Sequence, residues 1–388
     1  MIETADAIVI GGGIQGASLA FHLAEKGLRP LVLERGALAS GATGRSSGLV
    51  RMHYDLEPEA RLAWASFTYF RDWHARVGGE CGFTRTGFLQ LYPRGAAARL
   101  KSNVEMQQRV GIPTLLVSAD DVTRLAPGFR TDDFDQAAYE PESGYADPSG
   151  STAALLNAAR ERGARLVQGC AVTGIRVDGG RVVGVDATKG SFSAPIVVDA
   201  AGAWARGVAA LVGLDVPVTV WRHDTAFIRR PRSLRLGHPT VIDDGNAMYF
   251  RPEGRDLTLI GLEDDAGIGG EPEEVLRPAG EFVGRVVDRI CRRIPAMADG
   301  ELQSTQRGQD GITPDQRPIL CAAGPDGFYL DCGFSGTGFK TAPAVGACMA
   351  ELIVDGRAAT VDISAFGLER FGQGRLLAGS HEDRPMWR

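Results

Sequence analysis

The sequence predicts an α/β fold: one domain built on a parallel sheet, joined to a second, α+β domain with a mixed or antiparallel sheet. Three observations carry this expectation. The first forty residues read strand, glycine turn, helix, strand, acid. Short apolar runs of the kind that form strands buried on both faces recur at 196–199 and 328–330. Between about 216 and 305 the pattern changes to period-two stretches broken by Asp-Gly and Glu-Gly turns.

The opening segment is the most informative. Ala7-Ile8-Val9-Ile10 has the length and composition of a buried parallel strand. Gly11-Gly12-Gly13-Ile14-Gln15-Gly16 follows, and apolar residues then recur at helical spacing up to Lys26-Gly27. Leu31-Val32-Leu33 is a second strand, closed by Glu34-Arg35, with Glu34 eighteen positions beyond Gly16. Each part has a task. Gly11 makes the tight turn, Gly13 lets backbone approach a pyrophosphate, and Gly16 lets the helix pack closely on the strand. The helix N-terminus offers amides and a partial positive charge, and Glu34 can accept the hydrogen bonds of a ribose diol. A lone glycine fingerprint is equally well read as a structural turn. With both strands, the helix and the acid in place, it is an adenine-dinucleotide site.

Composition narrows the class. A chain of 388 residues has room for two or three domains, and its net charge of −6 points away from nucleic acid and anionic membrane. No apolar run approaches the length of a membrane span, and the N-terminus enters the first strand at once, which argues against a signal peptide. Six cysteines are scattered without CxxC or metal-ligand spacing, so free thiols in a reducing cytoplasm and no metal are expected; a Cys321–Cys332 bond is left open.

The remaining elements follow in order. Residues 57–76 carry Leu62, Trp64, Phe67, Phe70 and Trp73 on a helical period. A strand is expected over 87–92 and a helix over 95–110. Ser118-Ala119-Asp120-Asp121 caps a short helix before Pro127. Ser149 or Ser151 starts a helix running to Arg162. Strands at 166–168, 172–177 and 182–187 follow, the last two joined by Asp178-Gly179-Gly180 as a hairpin, then a strand at 196–199 leading into Ala200-Ala201-Gly202-Ala203-Trp204. The second domain reads as strands at 216–229, 240–242, 247–250 and 257–261 and a helix over 272–293. A strand at 328–330 and a helix over 342–354 close the chain.

Two further glycine-rich stretches stand out. Ser40-Gly41-Ala42-Thr43-Gly44-Arg45-Ser46-Ser47-Gly48 forms no element of its own. A flexible surface loop is the plainer reading; backbone laid flat against a broad planar ligand is the sharper one, because small residues allow close approach. A nicotinamide nucleotide would not need this second contact, whereas a flavin would. Arg51-Met52-His53-Tyr54 follows directly. Near the C-terminus, Gly333-Phe334-Ser335-Gly336-Thr337-Gly338-Phe339-Lys340 surrounds a helix start, where amides and a helix dipole can stabilise charge on a reduced ring. Lys340 is disfavoured there by that same dipole, which makes a decorative surface role less natural.

Together these motifs resemble the D-amino-acid-oxidase-like flavoproteins, within them most of all the sarcosine oxidase, sarcosine oxidase β-subunit and glycine oxidase branch, over residues 5 to about 355. The resemblance implies a discontinuous Rossmann-like FAD-binding domain (1–83, 141–215 and 306–388) and a substrate-binding domain (84–140 and 216–305). It implies that Val172 contacts adenine, that Ala201, Gly202 and Trp204 pack beside the nucleotide, and that Arg51, Tyr249 and Lys340 hold a substrate carboxylate. His53 and His223 are candidates to assist, or simply packed histidines. The implied reaction is hydride transfer from the carbon beside an amine nitrogen of a small secondary amine or amino acid to flavin N5, the imine then hydrolysing. No cysteine precedes Thr313-Pro314-Asp315 and Cys321 lies too late, so FAD is expected to be non-covalent. The resemblance implies an oxygen-promoting lysine on the strand at 257–261, which here contains none; the chain has only Lys26, Lys101, Lys189 and Lys340, with Arg222, Arg251 or Arg255 as replacement cations. A poor oxidase is therefore expected, with oxygen or another electron acceptor as partner and a homo- or hetero-oligomer possible in form. The alternatives are an FAD-dependent 2-hydroxy-acid or polyol-phosphate dehydrogenase and a non-catalytic FAD-binding subunit.

Overall fold

The computed structural model describes residues 3–234, 237–263 and 267–378. Its central six-stranded sheet runs in the order Arg165–Gln168, Pro30–Glu34, Ala7–Ile10, Val197–Asp199, Phe328–Cys332, Ile319–Ala322, parallel except for the last pair. The apolar runs are explained by burial on both faces. Ala7 and Val9 point into a core shared with helices Ile14–Glu25, Pro148–Glu161 and Gly338–Asp355, while Ile8 and Ile10 join Val182, Val185 and Phe192 on the other side. That second layer is a four-stranded sheet of Glu3–Thr4, Gly190–Ser193, Arg181–Ala187 and Val172–Asp178. Helices Ile14–Glu25 and Gly338–Asp355 approach closely because Gly346 lies against Ser18, whose hydroxyl donates to the Ala342 carbonyl at 2.7 Å.

The second sheet has eight strands in the order Glu301–Ile312, Thr219–Arg229, Leu257–Leu262, Met248–Glu253, Thr240–Asp243, Phe88–Leu91, Gln136–Glu140, Leu115–Ser118. It is mixed: only Thr240–Asp243 and Phe88–Leu91 pair in parallel. Alternation divides its faces. Ala226, Ile228, Met248, Phe250, Ile260 and Leu262 pack on helix Phe282–Arg293, and Phe88, Trp221, Ile242, Tyr249, Leu259 and Ile312 form a separate cluster on the opposite face.

Several elements differ from the sequence reading. The 57–76 helix is two, Glu57–Arg71 and Trp73–Arg76, broken at Asp72. The helix ending at Glu161 is capped by Asp147, which accepts from the Ser149 amide at 2.9 Å, with Pro148 at its first position; neither Ser149 nor Ser151 is the cap. The 272–293 helix is confined to Phe282–Arg293. Pro272, Pro278 and Gly280 disfavour helix in the preceding stretch, and its backbone is engaged instead by Gln309 and Asp224 side chains. Strand Glu301–Ile312 has no counterpart in the sequence reading and straddles the 305/306 division drawn there. The capping box at Ser118 and Asp121 is present as read.

Two adjacent parallel strands of the central sheet each bury a carboxyl group, Asp199 and Asp331. Neither Asp331 oxygen has a hydrogen-bond partner. Burial pushes Asp331 up to about 7 and Asp199 up to about 8, the Asp331 charge adding to the latter shift. In the unfolded chain both groups lose their protons near 3.8. Above that pH the folded state therefore holds protons the unfolded state has released, and stability falls as pH rises through the window up to about 7 for Asp331. The slope is about 1.4 kcal/mol per pH unit per group. Asp331→Asn is expected to flatten the decline in melting temperature between pH 5 and 7, relative to the wild type, roughly in proportion to that slope. Parallel curves for the two proteins in thermal scans would count against it.

Candidate functional site

The three glycine motifs meet at one cavity of ≈ 780 Å³, which the second sheet also lines through His223, Tyr249, Gln309 and Asp310. The first motif is built by steric necessity. Gly11 has φ +115°, and a Cβ there would lie 2.4 Å from the Ala200 carbonyl oxygen. A Cβ on Gly16 would lie 2.0 Å from the Gly11 oxygen, so the helix can rest directly on the turn. Gly11, Gly13, Ile14 and Gln15 face the cavity, whereas Gly12 and Gly16 are not among its lining residues and serve the turn itself. The Glu34 carboxylate accepts from the Gly12 amide at 2.7 Å and the Gly36 amide at 2.6 Å. Its remaining lone pairs can still take a ribose hydroxyl.

The second motif does more than lie flat. Thr43 lines the cavity and its hydroxyl oxygen accepts from the Ile14 amide at 3.0 Å, so that amide belongs to the protein and not to a ligand. Arg45, Ser46 and Ser47 line the cavity beside it, while Gly44 and Gly48 are packed against the Ala39 and Ala146 carbonyls, where a Cβ would sit at 2.5 and 2.3 Å. Val172, Ala201, Gly202 and Trp204 all line the cavity. So does Arg35, whose guanidinium stacks 4.3 Å over the Trp204 ring and pairs with Glu274.

In the third motif Gly333, Phe334, Gly336, Gly338 and Phe339 line the cavity. Gly333, Ser335 and Gly336 all have positive φ, and the Ser335 amide donates to the Gly311 carbonyl at 3.0 Å, which joins the turn to the end of strand Glu301–Ile312. Thr337 lies outside the lining and donates its hydroxyl to the Phe334 carbonyl at 2.7 Å.

The carboxylate-binding candidates are not equally placed. Tyr249 lines the cavity, with burial pushing its phenol up, and its ring lies across Gly261 of the neighbouring strand. Arg51 and Lys340 are buried and do not line it. The Arg51 guanidinium stands 4.6 Å over Tyr54 and donates to the His53 carbonyl. Lys340 Nζ donates to the Gly336 carbonyl at 3.4 Å. Burial first, and then the Arg51 charge, hold Lys340 well below the ordinary lysine range. His53 is buried with its Nε2 3.2 Å from the Tyr92 hydroxyl; burial lowers it to about 3, so it is neutral and away from the cavity lining.

His223, which the sequence reading named only as an assistant, lines the cavity, and Gln309 and Asp310, which it did not name as site residues, line it too. Arg222 and Arg251, considered as replacement cations, are absent from that lining: Arg222 donates to the Gly269 and Glu271 carbonyls, and Arg251 to that of Pro252. Among the described residues no cluster of metal-ligating side chains is present, no helix is long and apolar enough to cross a membrane, and the six cysteines are free.

An FAD fits these residues. The floor at Gly11 and Gly13 carries no side chains, and the helix beginning at Gly338 has no side-chain hydrogen bond from its N-cap residue.

Comparison with known proteins agrees. The sequence model of the FAD dependent oxidoreductase (DAO) family matches residues 6–352. Human mitochondrial sarcosine dehydrogenase is 30% identical over 400 residues, covering 99% of this chain but only 43% of that protein. Sarcosine oxidase subunit beta from Arthrobacter sp. is 25% identical over 96% of this chain and 92% of its own. The crystal structure of L-proline dehydrogenase from P. horikoshii superposes with a TM-score of 0.90 at 28% identity, covering 97% of this chain and all of that one.

Proposed function

The chain belongs to the DAO family of FAD-dependent oxidoreductases, and from that premise we propose that it oxidises the C–N bond of a small secondary amine or amino acid. The observation that carries the reading is the meeting of all three glycine motifs with Tyr249, His223 and Asp310 around one cavity. When bound, FAD supplies the two-electron acceptor for the carbon beside nitrogen. Gly11, Gly13 and Gln15 would hold its pyrophosphate, Glu34 a ribose, and the turn 333–338 its ring. Tyr249 would orient the substrate carboxylate with Arg51 and Lys340 behind it. Two buried cations, Lys340 with its basicity depressed by burial first and by the Arg51 charge second, would both be relieved by a substrate anion. The imine formed leaves to hydrolyse in water.

Non-covalent attachment of FAD belongs to the same proposal. A Cβ at Gly308 would lie 2.7 Å from the His223 ring, so the strand leading to Thr313 has little room there for a linking side chain. The six free thiols support a reducing compartment, the cytoplasm. Anaerobic mixing with a panel of N-methyl and D- or L-amino acids should bleach the flavin, and acid should release all of it from the chain. Bleaching by 2-hydroxy acids alone, or by nothing, would sink the amine reading.

Slow reaction of reduced enzyme with oxygen is expected, because among the described residues no lysine lines the cavity to stabilise superoxide. The structure selects the site for adding one. Leu259 clusters with Tyr249 and Trp221 on the cavity side, whereas Ile260 points into the core under helix Phe282–Arg293. Leu259→Lys should raise the stopped-flow reoxidation rate by roughly tenfold or more, and a wild-type rate already matching true oxidases would contradict the expectation.

A further inference from the structure

One charged group on the cavity wall has no part in that scheme. Asp310 stands on strand Glu301–Ile312 opposite Trp221, on the sheet face that also carries His223, Tyr249 and Leu259. Its carboxylate lies 3.8 Å from His223 Nε2, and 15% of its side-chain surface is exposed on a cavity-lining residue. Gly308, on the same face two residues earlier, leaves the His223 ring its place. The other titratable groups that act on this carboxylate or its neighbours are Lys340, Tyr249, Asp224 and Arg307, with Arg251 acting on Tyr249 and Arg51 and Glu59 on Lys340. An ionised carboxylate in such a place is costly unless a cation joins it, and Lys340 is turned to the Gly336 carbonyl.

We propose that Asp310, with His223 at its side, is the anionic subsite that receives the substrate's ammonium group and takes its proton. The proposal rests on the amine reading and names the charge selected within it. The substrate's N–H bond breaks toward Asp310, which becomes a carboxylic acid, and the electron pair stays on nitrogen. That lone pair is what the neighbouring C–H cleavage needs, because it becomes the second bond of C=N; the two electrons of the C–H bond would pass to bound FAD. The proton leaves to water after the imine. Burial raises the affinity of Asp310 for a proton, as an acceptor in this position requires.

The test uses FAD-loaded enzyme and two ligands of nearly equal shape: betaine, permanently cationic at nitrogen, and tert-butylacetate, its neutral carbon counterpart. Both carry the carboxylate, so its contribution cancels. Titration followed by flavin absorbance and calorimetry should show betaine bound about tenfold or more tightly by the wild type. Asp310→Asn should erase that preference while FAD content and tert-butylacetate affinity stay within about twofold, and Asp310→Glu should retain it. The anaerobic bleaching rate of Asp310→Asn should also need a higher pH than the wild type, because the free amine must then come from solution. An unchanged betaine preference in Asp310→Asn, or a wild type that prefers the neutral ligand, overturns the proposal. Flavin that no amine bleaches would sink the amine reading and this proposal with it, whereas amines bleaching Asp310→Asn with the wild-type pH profile would sink this proposal alone.

Discussion

Gly13→Leu is expected to yield a folded protein without FAD. Gly13 lines the cavity, and a Cβ there meets only the Thr43 hydroxyl, at 3.1 Å. The chain can therefore accept a side chain at modest cost, but the added atoms occupy the space where the backbone must approach a pyrophosphate. Affinity should fall by roughly a thousandfold or more, the loss of several charge-assisted amide contacts at once. Flavin absorbance per chain and a thermal melt make the check. A cooperative transition with no yellow colour is expected, and full FAD occupancy would show that Gly13 is only a turn residue. Gly11→Ala makes the contrast. With φ +115° and the Ala200 oxygen 2.4 Å from the new Cβ, it should damage the fold itself.

Gly261→Ala is expected to cost about a hundredfold in kcat/KM on an amine substrate while FAD content is unchanged, the size associated with misplacing a positioning group by about 1 Å. Gly261 pairs directly with Tyr249 across the antiparallel ladder, and an added Cβ would lie 2.1 to 2.4 Å from atoms of the Tyr249 ring and hydroxyl. Those are ring atoms flanked by packed neighbours, so the phenol must swing away from the place it now occupies on the cavity wall. Tyr249→Phe separates the parts: it keeps the ring and removes only the hydroxyl. If Gly261→Ala turns over amines within twofold of the wild type, Tyr249 does not position the substrate.

Both predictions depend on features that differ in how far sequence reveals them. The opening strand, turn, helix and acid were legible because each part is local. An apolar run, a glycine that must take positive φ, a helical period and an acid on the next strand are all encoded within a few residues of where they act. The capping box at Ser118 and Asp121 was legible for the same reason. The second sheet's alternating strands were legible where one face is apolar, as in 248–253 and 257–262.

By itself, then, the sequence determined the dinucleotide fingerprint, the two glycine-rich contacts beside it and the alternating strands of the second sheet, whose mixed character came only from the parallel pairing of Thr240–Asp243 with Phe88–Leu91. Strand Glu301–Ile312 stayed hidden because its residues, Gln, Ser, Thr, Arg, Gly and Asp among them, alternate no apolar face; only pairing with Thr219–Arg229 makes it a strand. With it went Gln309 and Asp310, whose place on the cavity wall follows from that pairing. Tertiary structure also decided that Thr43 caps the helix at Ile14, that Arg51 and Lys340 are buried outside the cavity lining, and that Leu259 packs on the sheet face of Tyr249 while Ile260 packs on the other. The physical reason is common to all of these. A polar side chain's partners and burial, and the face a strand residue presents, are set by segments distant in the chain, and no spacing within one segment records them.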